Sequence, residues 1–261
     1  MTRPATPLPT RPILEIAANS LGSALAAQEG GADRIELCDN LGGGGTTPSY
    51  GTLAVVRERL RIPLYVLIRP RTGDFCYDGT EVDVMLRDIE SCVKLGCDGV
   101  VIGALDPRGD VDEVICRELI AAAGSLGVTF HRAFDAARDQ ASALEVIIGL
   151  GCERVLTSGG EANALAGAGH IAGFVKQGGS RLRIMAGAGI DAGNIVEVAR
   201  RSGAAEFHGS ARSLRASPSQ HRNEGLRGLK LDWWETDSAR VQAMARALSR
   251  LKRRPAVPLS E

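Results

Sequence analysis

The sequence lacks the features that mark membrane, secreted and disulfide-bonded proteins. None of its 261 residues belongs to an apolar run near the roughly 18 residues that cross a bilayer. The first residues, MTRPATPLPTRP, have no apolar core of the kind a secretory signal requires. The six cysteines form no CxxC pair, which favours free thiols over a disulfide framework. We therefore expect a cytoplasmic protein.

The sequence also lacks an excess of charge. Its 31 basic and 31 acidic residues cancel, and no block of Lys and Arg lies among its aromatic residues, which make up 4% of the chain. Nothing in this pattern favours binding to nucleic acid or to an anionic membrane. We expect the partner to be small: a metal ion or a small anionic ligand.

Eight short apolar runs do stand out, and helix-like segments separate them. The runs are ILEI, RIEL, LYVLI, GVVIGA, VTF, RVLTS, RIMA and AEFHG. This alternation predicts an α/β protein, a single-domain (β/α)8 TIM barrel over residues 13–251, since this fold spends about 250 residues on one core. Residues 1–12 are expected to be a disordered leader and 252–261 a tail. A long polar stretch, 211–236, is expected to be a loop that acts as a lid.

Two carboxylates close the first two runs. Because neighbouring strands lie about 4.8 Å apart, Glu15 and Glu36 should come close together. Each would raise the proton affinity of the other unless Arg69 or Arg71 neutralises them. The pair could serve as an acid and a base, as metal ligands or as counter-ions, and the sequence leaves all three open.

The segment IRPRTGDF follows the third run and is rich in charge. Arg69 and Arg71 flank a proline, and Asp74 follows. Two guanidinium groups at a strand end suit the binding of a carboxylate or phosphate. The alternative is a structural network of ion pairs that includes Asp74.

A second charged cluster, His131, Arg132 and Asp135, follows the fifth run. Imidazole titrates near neutral pH, so His131 is the best candidate for a general acid or base. The alternative is a hydrogen-bonded histidine in the core.

Glycine and small polar residues follow the last three runs, where barrel enzymes often bind phosphate. Glycine lets backbone N–H groups converge on an anion. The alternative is that these glycines serve only sharp turns. The residues expected to bind an anion here are Ser158, Gly159, Gly187, Gly189, His208 and Ser210.

Cys38 is the one thiol expected at the same end of the barrel. A thiolate favours soft ions such as Cu(I) or Zn²⁺. No second cysteine stands at ligand spacing, and Met185 is the only methionine near a strand end. Cys38 is therefore a candidate metal ligand without an obvious sulfur partner.

Several long segments in the same order resemble the CutC family of copper homeostasis proteins, over residues 14 to about 237. They are GADRIELC (31–38), GGTTPSYG (44–51), IRPRTGDFCY (68–77), VTFHRAFD (128–135), RVLTSG (154–159), MAGAG (185–189) and EFHGSAR (206–212). The resemblance implies a cytoplasmic α/β barrel with a role in copper tolerance, copper binding and often a homo-oligomer. Family members commonly carry a cysteine where this chain has Ala17, so a pair of thiolates is not implied here.

The residues themselves suggest an alternative function. The barrel could be an enzyme of the lyase or isomerase type that acts on a small anionic substrate, for example a phosphorylated one. Arg69 and Arg71 would then hold the anion, while His131 would move protons together with Glu15, Glu36 or Asp135.

Overall fold

The computed structural model describes residues 11–223, 225 and 230–251, and it confirms the predicted closed parallel barrel. Strand β1 pairs with both β2 and β8, which closes the sheet. The barrel strands are β1 Ile13–Ala18, β2 Arg34–Leu37, β3 Leu64–Leu67, β4 Gly99–Ile102, β5 Gly127–Phe130, β6 Arg154–Thr157, β7 Arg183–Ala186 and β8 Glu206–Gly209. Residues 1–10 of the predicted leader and the predicted tail lie outside the described residues.

Helices follow the first seven strands, and an eighth ends the described chain. They are α1 Leu21–Glu29, α2 Tyr50–Arg59, α3 Gly79–Lys94, α4 Glu113–Ala123, α5 Gln140–Leu150, α6 Ala168–Gly178, α7 Ile195–Ser202 and α8 Ser238–Ser249. Several begin at local capping signals. At α3 the Asp78 carboxylate accepts from the backbone N–H of Glu81, whose carboxylate accepts from the N–H of Asp78. Among the described residues, no helix combines the length and apolar character needed to span a bilayer.

The two faces of the barrel strands differ in polarity. Outward residues such as Leu14, Ile16 and Ile35 join the large apolar core beneath the helices. A smaller apolar cluster is separate from it and contains Ala17, Cys38, Tyr65, Leu67 and Val101. Because side chains alternate along a strand, the polar residues between the outward positions point into the barrel. The strand β1 continues to Ala18, so Glu15 lies within it and does not end it as predicted.

An ion-pair network fills the lower interior of the barrel. The Glu206 carboxylate accepts from Arg34 Nη2 at 2.6 Å and from Arg154 Nε at 3.0 Å, and Arg34 Nε donates to Glu15. Both arginines and both glutamates are almost completely buried. Such groups leave water at a high cost, which only close pairing offsets. The network therefore ties β1, β2, β6 and β8 together through charge.

Aromatic packing completes this layer. The Arg154 guanidinium lies over the Tyr65 ring, 4.9 Å from the ring centroid. The Tyr65 hydroxyl donates to the Glu153 carboxylate at 2.5 Å. Gly99 on the neighbouring strand leaves the necessary space, because a Cβ there would lie 2.1 Å from the ring. Glycine at this position thus serves the packing of Tyr65.

The segment 211–236 differs from the predicted loop. It contains two antiparallel strands, β9 Arg212–Arg215 and β10 Trp233–Thr236. The Thr236 N–H donates to Ser23 Oγ at 3.1 Å, which anchors β10 to α1. The prediction of a loop was wrong at both strands. Each strand is only four residues long and its partner is distant in sequence, so no local hairpin pattern marks the pair. A lid function for the remaining segment stays a prediction.

We expect Glu206→Gln to lower the free energy of unfolding by about 3–5 kcal/mol, because the buried guanidinium groups of Arg34 and Arg154 lose their shared carboxylate. Denaturant titration measures this change. The matched control is Glu145→Gln, which removes a half-exposed pair with Arg181 and should cost much less, because solvent screens that pair. Equal losses in the two variants would contradict a special role for the buried network.

Candidate functional site

A cavity of about 540 Å³ opens at the carboxyl end of the barrel strands. Residues from most strands, or from the loops that follow them, form its wall. The predicted site residues on the wall are Glu36, Cys38, Arg69, His131, Arg132, Asp135, Gly189, His208 and Ser210. Residues from the first third of the chain and from its last quarter thus share one cavity.

Glu15, His208 and Glu36 form a chain of contacts on one side of this cavity. Glu15 Oε1 lies 2.8 Å from His208 Nδ1, and Arg34 contacts the other oxygen. Burial opposes ionisation of Glu15, but Arg34 and the His208 hydrogen bond outweigh it and hold its pKa well below the ordinary value. An ionised carboxylate can only accept, so Nδ1 of His208 carries a hydrogen. The other ring nitrogen is turned toward Glu36.

Of the two carboxyl groups that contact His208, Glu36 is the one that lies on the cavity wall. Its Oε2 lies 3.6 Å from His208 Nε2. Burial, with the nearby Glu15 charge, raises the pKa of Glu36 to about 7. Burial lowers the pKa of His208, but the two carboxylates more than compensate and raise it above the ordinary value. Both pKa values therefore lie above the ordinary ones, and the pair keeps protons to higher pH than the free side chains would.

His131 lies on another part of the wall, and its protonation is not that of the expected general acid or base. Burial and the charge of Arg69 lower the pKa of His131 to about 3, so the ring is neutral. Its Nδ1 accepts from the Ala133 N–H at 3.1 Å, which leaves the hydrogen on Nε2. That Nε2 has no hydrogen-bond partner among the described residues. His131 is thus a fixed neutral donor.

Arg69 supplies a positive charge beside His131. Its Nη1 donates to the carbonyl of Gly45 at 2.8 Å and its Nη2 to that of Gly73 at 2.7 Å. The guanidinium lies 4.9 Å from the centroid of the Phe75 ring. Among the described residues, no carboxylate lies within ion-pair distance of Arg69. Carbonyl groups of the glycine loop before α2 and of the loop after β3 therefore fix Arg69, a role that sequence reasoning missed.

Asp135, with Arg132 and Ser158, orders the loops that follow β5 and β6. The Asp135 carboxylate accepts from Arg132 Nε at 2.7 Å and from the backbone N–H groups of Ser158 at 3.0 Å and Gly160 at 3.1 Å. Ser158 Oγ donates to the Glu161 carbonyl at 2.6 Å. Both carboxylate oxygens of Asp135 already accept hydrogen bonds. Asp135 therefore stabilises the wall and is a poor candidate for proton transfer.

Arg71 and Asp74 lie away from the cavity wall. Arg71 binds the Glu81 carboxylate, Asp74 at 3.0 Å and the Cys76 carbonyl at 2.9 Å. Asp74 is exposed. The structure thus matches the structural alternative for these two residues, and they stabilise the connection from β3 to α3.

Gly159 and Gly187, in the loops after β6 and β7, allow close packing. A Cβ on Gly159 would lie 2.5 Å from the Gly167 carbonyl oxygen, and one on Gly187 would lie 2.5 Å from Leu156. Neither glycine lies on the cavity wall. The Asp191 side chain already accepts from the Gly193 N–H at the start of α7, and a strand follows β8 in place of a helix. Gly189 and Ser210 do lie on the cavity wall, and anion binding by them stays a prediction.

Cys38 lies on the cavity wall as a buried thiol, and metal binding by it stays a prediction. Burial, with the charge of Glu36, raises the pKa of this thiol well above its ordinary value. Its Sγ lies 3.7 Å from the Ala18 carbonyl. Met185 contacts Arg34 Nη2 at 3.4 Å, lower in the barrel. Among the described residues, the group with metal-ligand spacing is instead Glu15, Glu36 and His208, whose ligand atoms lie within 4.8 Å of one another.

The comparisons with known proteins agree with the order of motifs along this barrel. The model of the CutC family matches residues 12–213. The chain belongs to the CutC family. A CutC family protein from Xanthomonas campestris pv. campestris strain 8004 is 59% identical over 235 residues, 90% of this chain and 98% of that protein. One from Chromobacterium violaceum is 51% identical over 243 residues, 91% of this chain and 98% of that protein.

Solved structures place this CutC chain in the same fold. A CutC structure from Streptococcus agalactiae, named for copper homeostasis, has a TM-score of 0.73 at 32% identity and covers 76% of this chain and 98% of that one. Phosphoribosylanthranilate isomerase from Thermotoga maritima has a TM-score of 0.56 at 12% identity and covers 92% and 99% of the two chains. The second likeness shows the barrel alone.

We expect Glu36→Gln to stabilise the protein at alkaline pH. The folded Glu36 carboxyl ionises near pH 7 but the unfolded one near its ordinary 4.5, so the folded state holds more protons between these values. The contribution of Glu36 to the free energy of unfolding therefore falls as the pH rises from 4.5 to 7. With a chelator present, the variant should be more stable than the parent by on the order of 1–3 kcal/mol at about pH 8, and nearly equal at about pH 5.

Denaturant titrations at the two pH values test this. Glu197→Gln is the matched control on the exposed surface of α7, and it should leave the pH profile unchanged. A Glu36→Gln effect that is the same at both pH values would show that Glu36 does not titrate in this window.

Proposed function

We propose that this CutC chain acts in copper homeostasis in the cytoplasm by binding a copper ion at the barrel mouth. His208 Nε2 and Glu36 are the proposed ligands. The observation that carries this proposal is the contact chain from Arg34 through Glu15 to His208. Histidines that bind metals usually donate their second ring N–H to a carboxylate, which fixes the ring and strengthens its basicity. Glu15 is placed to do this.

The spacing of the two ligand atoms supports the same assignment. Atoms 3.6 Å apart can both approach one ion to the usual distance of about 2 Å. His208 and Glu36 are largely buried yet lie on the cavity wall, so an ion can reach them from solvent. The rest of the coordination shell would come from water or from a small molecule.

The chemistry of the ligands favours Cu(II) over Cu(I). Imidazole and carboxylate suit Cu(II), whereas Cu(I) prefers thiolate and thioether ligands. Cys38 is the sulfur-bearing side chain on the described cavity wall; its thiol is protonated, and Ala17 on the neighbouring strand offers no second sulfur. The site therefore fits a copper ion held by nitrogen and oxygen, and it does not fit a pair of thiolates.

The cytoplasmic assignment is supported by the cysteines. Among the described residues none of the six cysteines forms a disulfide, and five of them are buried. Free thiols persist in a reducing compartment. The enzyme alternative has less support, because His131 is neutral and Asp135 is already hydrogen-bonded on all sides.

We expect His208→Ala to weaken Cu(II) binding by about 100-fold or more, because a direct ligand is lost. Glu15→Gln should weaken it by about 10–100-fold, because the His208 ring loses its carboxylate partner. Isothermal titration with Cu(II) measures the affinities, and electron paramagnetic resonance reports nitrogen ligation. Circular dichroism shows whether each variant is folded.

Two matched variants make this test specific. His170→Ala removes a mostly exposed histidine outside the cavity wall, and Cys38→Ser removes the thiol on it. Neither should change the Cu(II) affinity. The proposal fails if His208→Ala binds copper like the parent protein, or if Cys38→Ser alone abolishes binding.

A further inference from the structure

We propose that the wall formed by His131 and Arg69 binds a small organic anion through one of its carboxylate or phosphate oxygens. This proposal does not depend on copper binding, because it uses other residues of the cavity. It rests on a buried hydrogen-bond donor that lacks a partner and on a buried cation beside it.

The unpartnered donor is His131 Nε2–H. The His131 side chain is 4% exposed, and its Nε2 makes no hydrogen bond among the described residues, although the residue lies on the cavity wall. A buried polar group without a partner costs free energy that an oxygen acceptor would recover. The donor is also permanent, because the neutral ring keeps its Nε2 hydrogen while Nδ1 accepts from Ala133.

The imidazole ring is held in place by its surroundings. The Phe75 and His131 ring centroids are 5.1 Å apart. On another side, a Cβ on Gly103 would lie only 2.6 Å from the His131 ring, so glycine there gives the ring its space. Together with the bond from Ala133 these contacts fix the direction of Nε2–H. A donor fixed before the ligand arrives loses little entropy on binding.

Arg69 gives the wall its charge. The guanidinium is 5% exposed, and backbone carbonyls occupy both of its terminal nitrogens. Carbonyl dipoles hold a cation but do not neutralise it, and no carboxylate among the described residues pairs with it. An anion in the cavity would supply a negative charge near Arg69. The attraction between the two charges is stronger there than in water, because the dielectric constant is low.

The carboxylates on the wall face groups other than Arg69. Asp135 is paired with Arg132, and Glu36 faces His208. Glu161 is half-exposed and lies near His170. Arg69 is therefore a charged group of the wall that has no carboxylate within ion-pair distance among the described residues.

The rest of the wall indicates what the anion is attached to. Apolar residues line the cavity between the polar groups, and its volume of about 540 Å³ suits a small organic molecule. They are Leu41, Leu67, Phe75, Leu156, Ala188 and Ile190. A ligand with an apolar body and one oxyanion matches both the apolar wall and the fixed donor.

The experiment uses benzoate, its neutral amide benzamide and inorganic phosphate with the full chain in chelator-containing buffer without copper. Isothermal titration or ligand-observed NMR gives the affinities. We expect saturable binding of benzoate, and benzamide binding at least about tenfold weaker, since a hydrogen bond to a charged acceptor is worth about that factor or more. Stronger binding of phosphate than of benzoate would assign the oxyanion to a phosphate.

Two substitutions of one residue test the donor itself. His131→Leu should weaken benzoate binding by about 10-fold or more, while His131→Gln retains an N–H group and should recover part of the affinity. The control His170→Leu should change nothing. Equal binding of benzoate and benzamide, no saturable binding of either anion, or an unchanged affinity in a folded His131→Leu variant would each overturn the proposal. Loss of Cu(II) binding on His208→Ala is a separate measurement, so either proposal can fail alone.

Discussion

The arrangement of the site depends on one buried carboxylate, Glu15, which lies between Arg34 and His208. Without Arg34, burial would raise the pKa of Glu15, and His208 would face a weaker acceptor. Without Glu15, the His208 ring would have no fixed direction toward Glu36. Arg34 in turn requires Glu206 and lies beside the Arg154 pair. The same charges that hold the barrel strands together therefore orient the groups at its mouth.

The cavity has two parts with opposite protonation behaviour. Around Glu36 and His208, carboxylates surround an imidazole, and both pKa values are raised toward or above neutrality. Around His131 and Arg69, a cation and burial keep the imidazole neutral. Under the two proposals each part takes a different ligand: the first would exchange a proton for a metal ion, and the second would donate a hydrogen bond. The difference arises from neighbouring charge, since burial affects both histidines.

Sequence reasoning located the cavity better than it assigned roles within it. Glu36, Arg69, His131 and His208 were expected at one end of the barrel, and all four line the cavity. Cys38 also lies there, but as a protonated thiol whose environment could not be inferred from its position in the chain. Arg71 and Asp74 were expected at the mouth and instead bind each other. Arg34 and Arg154 were missed, although a charged residue within an apolar run such as RIEL or RVLT is itself a signal of an inward position.

The sequence by itself determined the barrel and its family. Short apolar runs alternate with capped helical segments, and this depends on local periodicity and on motif order, which can be read along the chain. Only the tertiary structure decided which polar residues are partners, because Glu15 meets His208 across 193 positions of sequence when β1 closes on β8. Charge, protonation and the direction of a donor depend on such neighbours and on burial. The linear sequence does not show which residues become neighbours or which become buried.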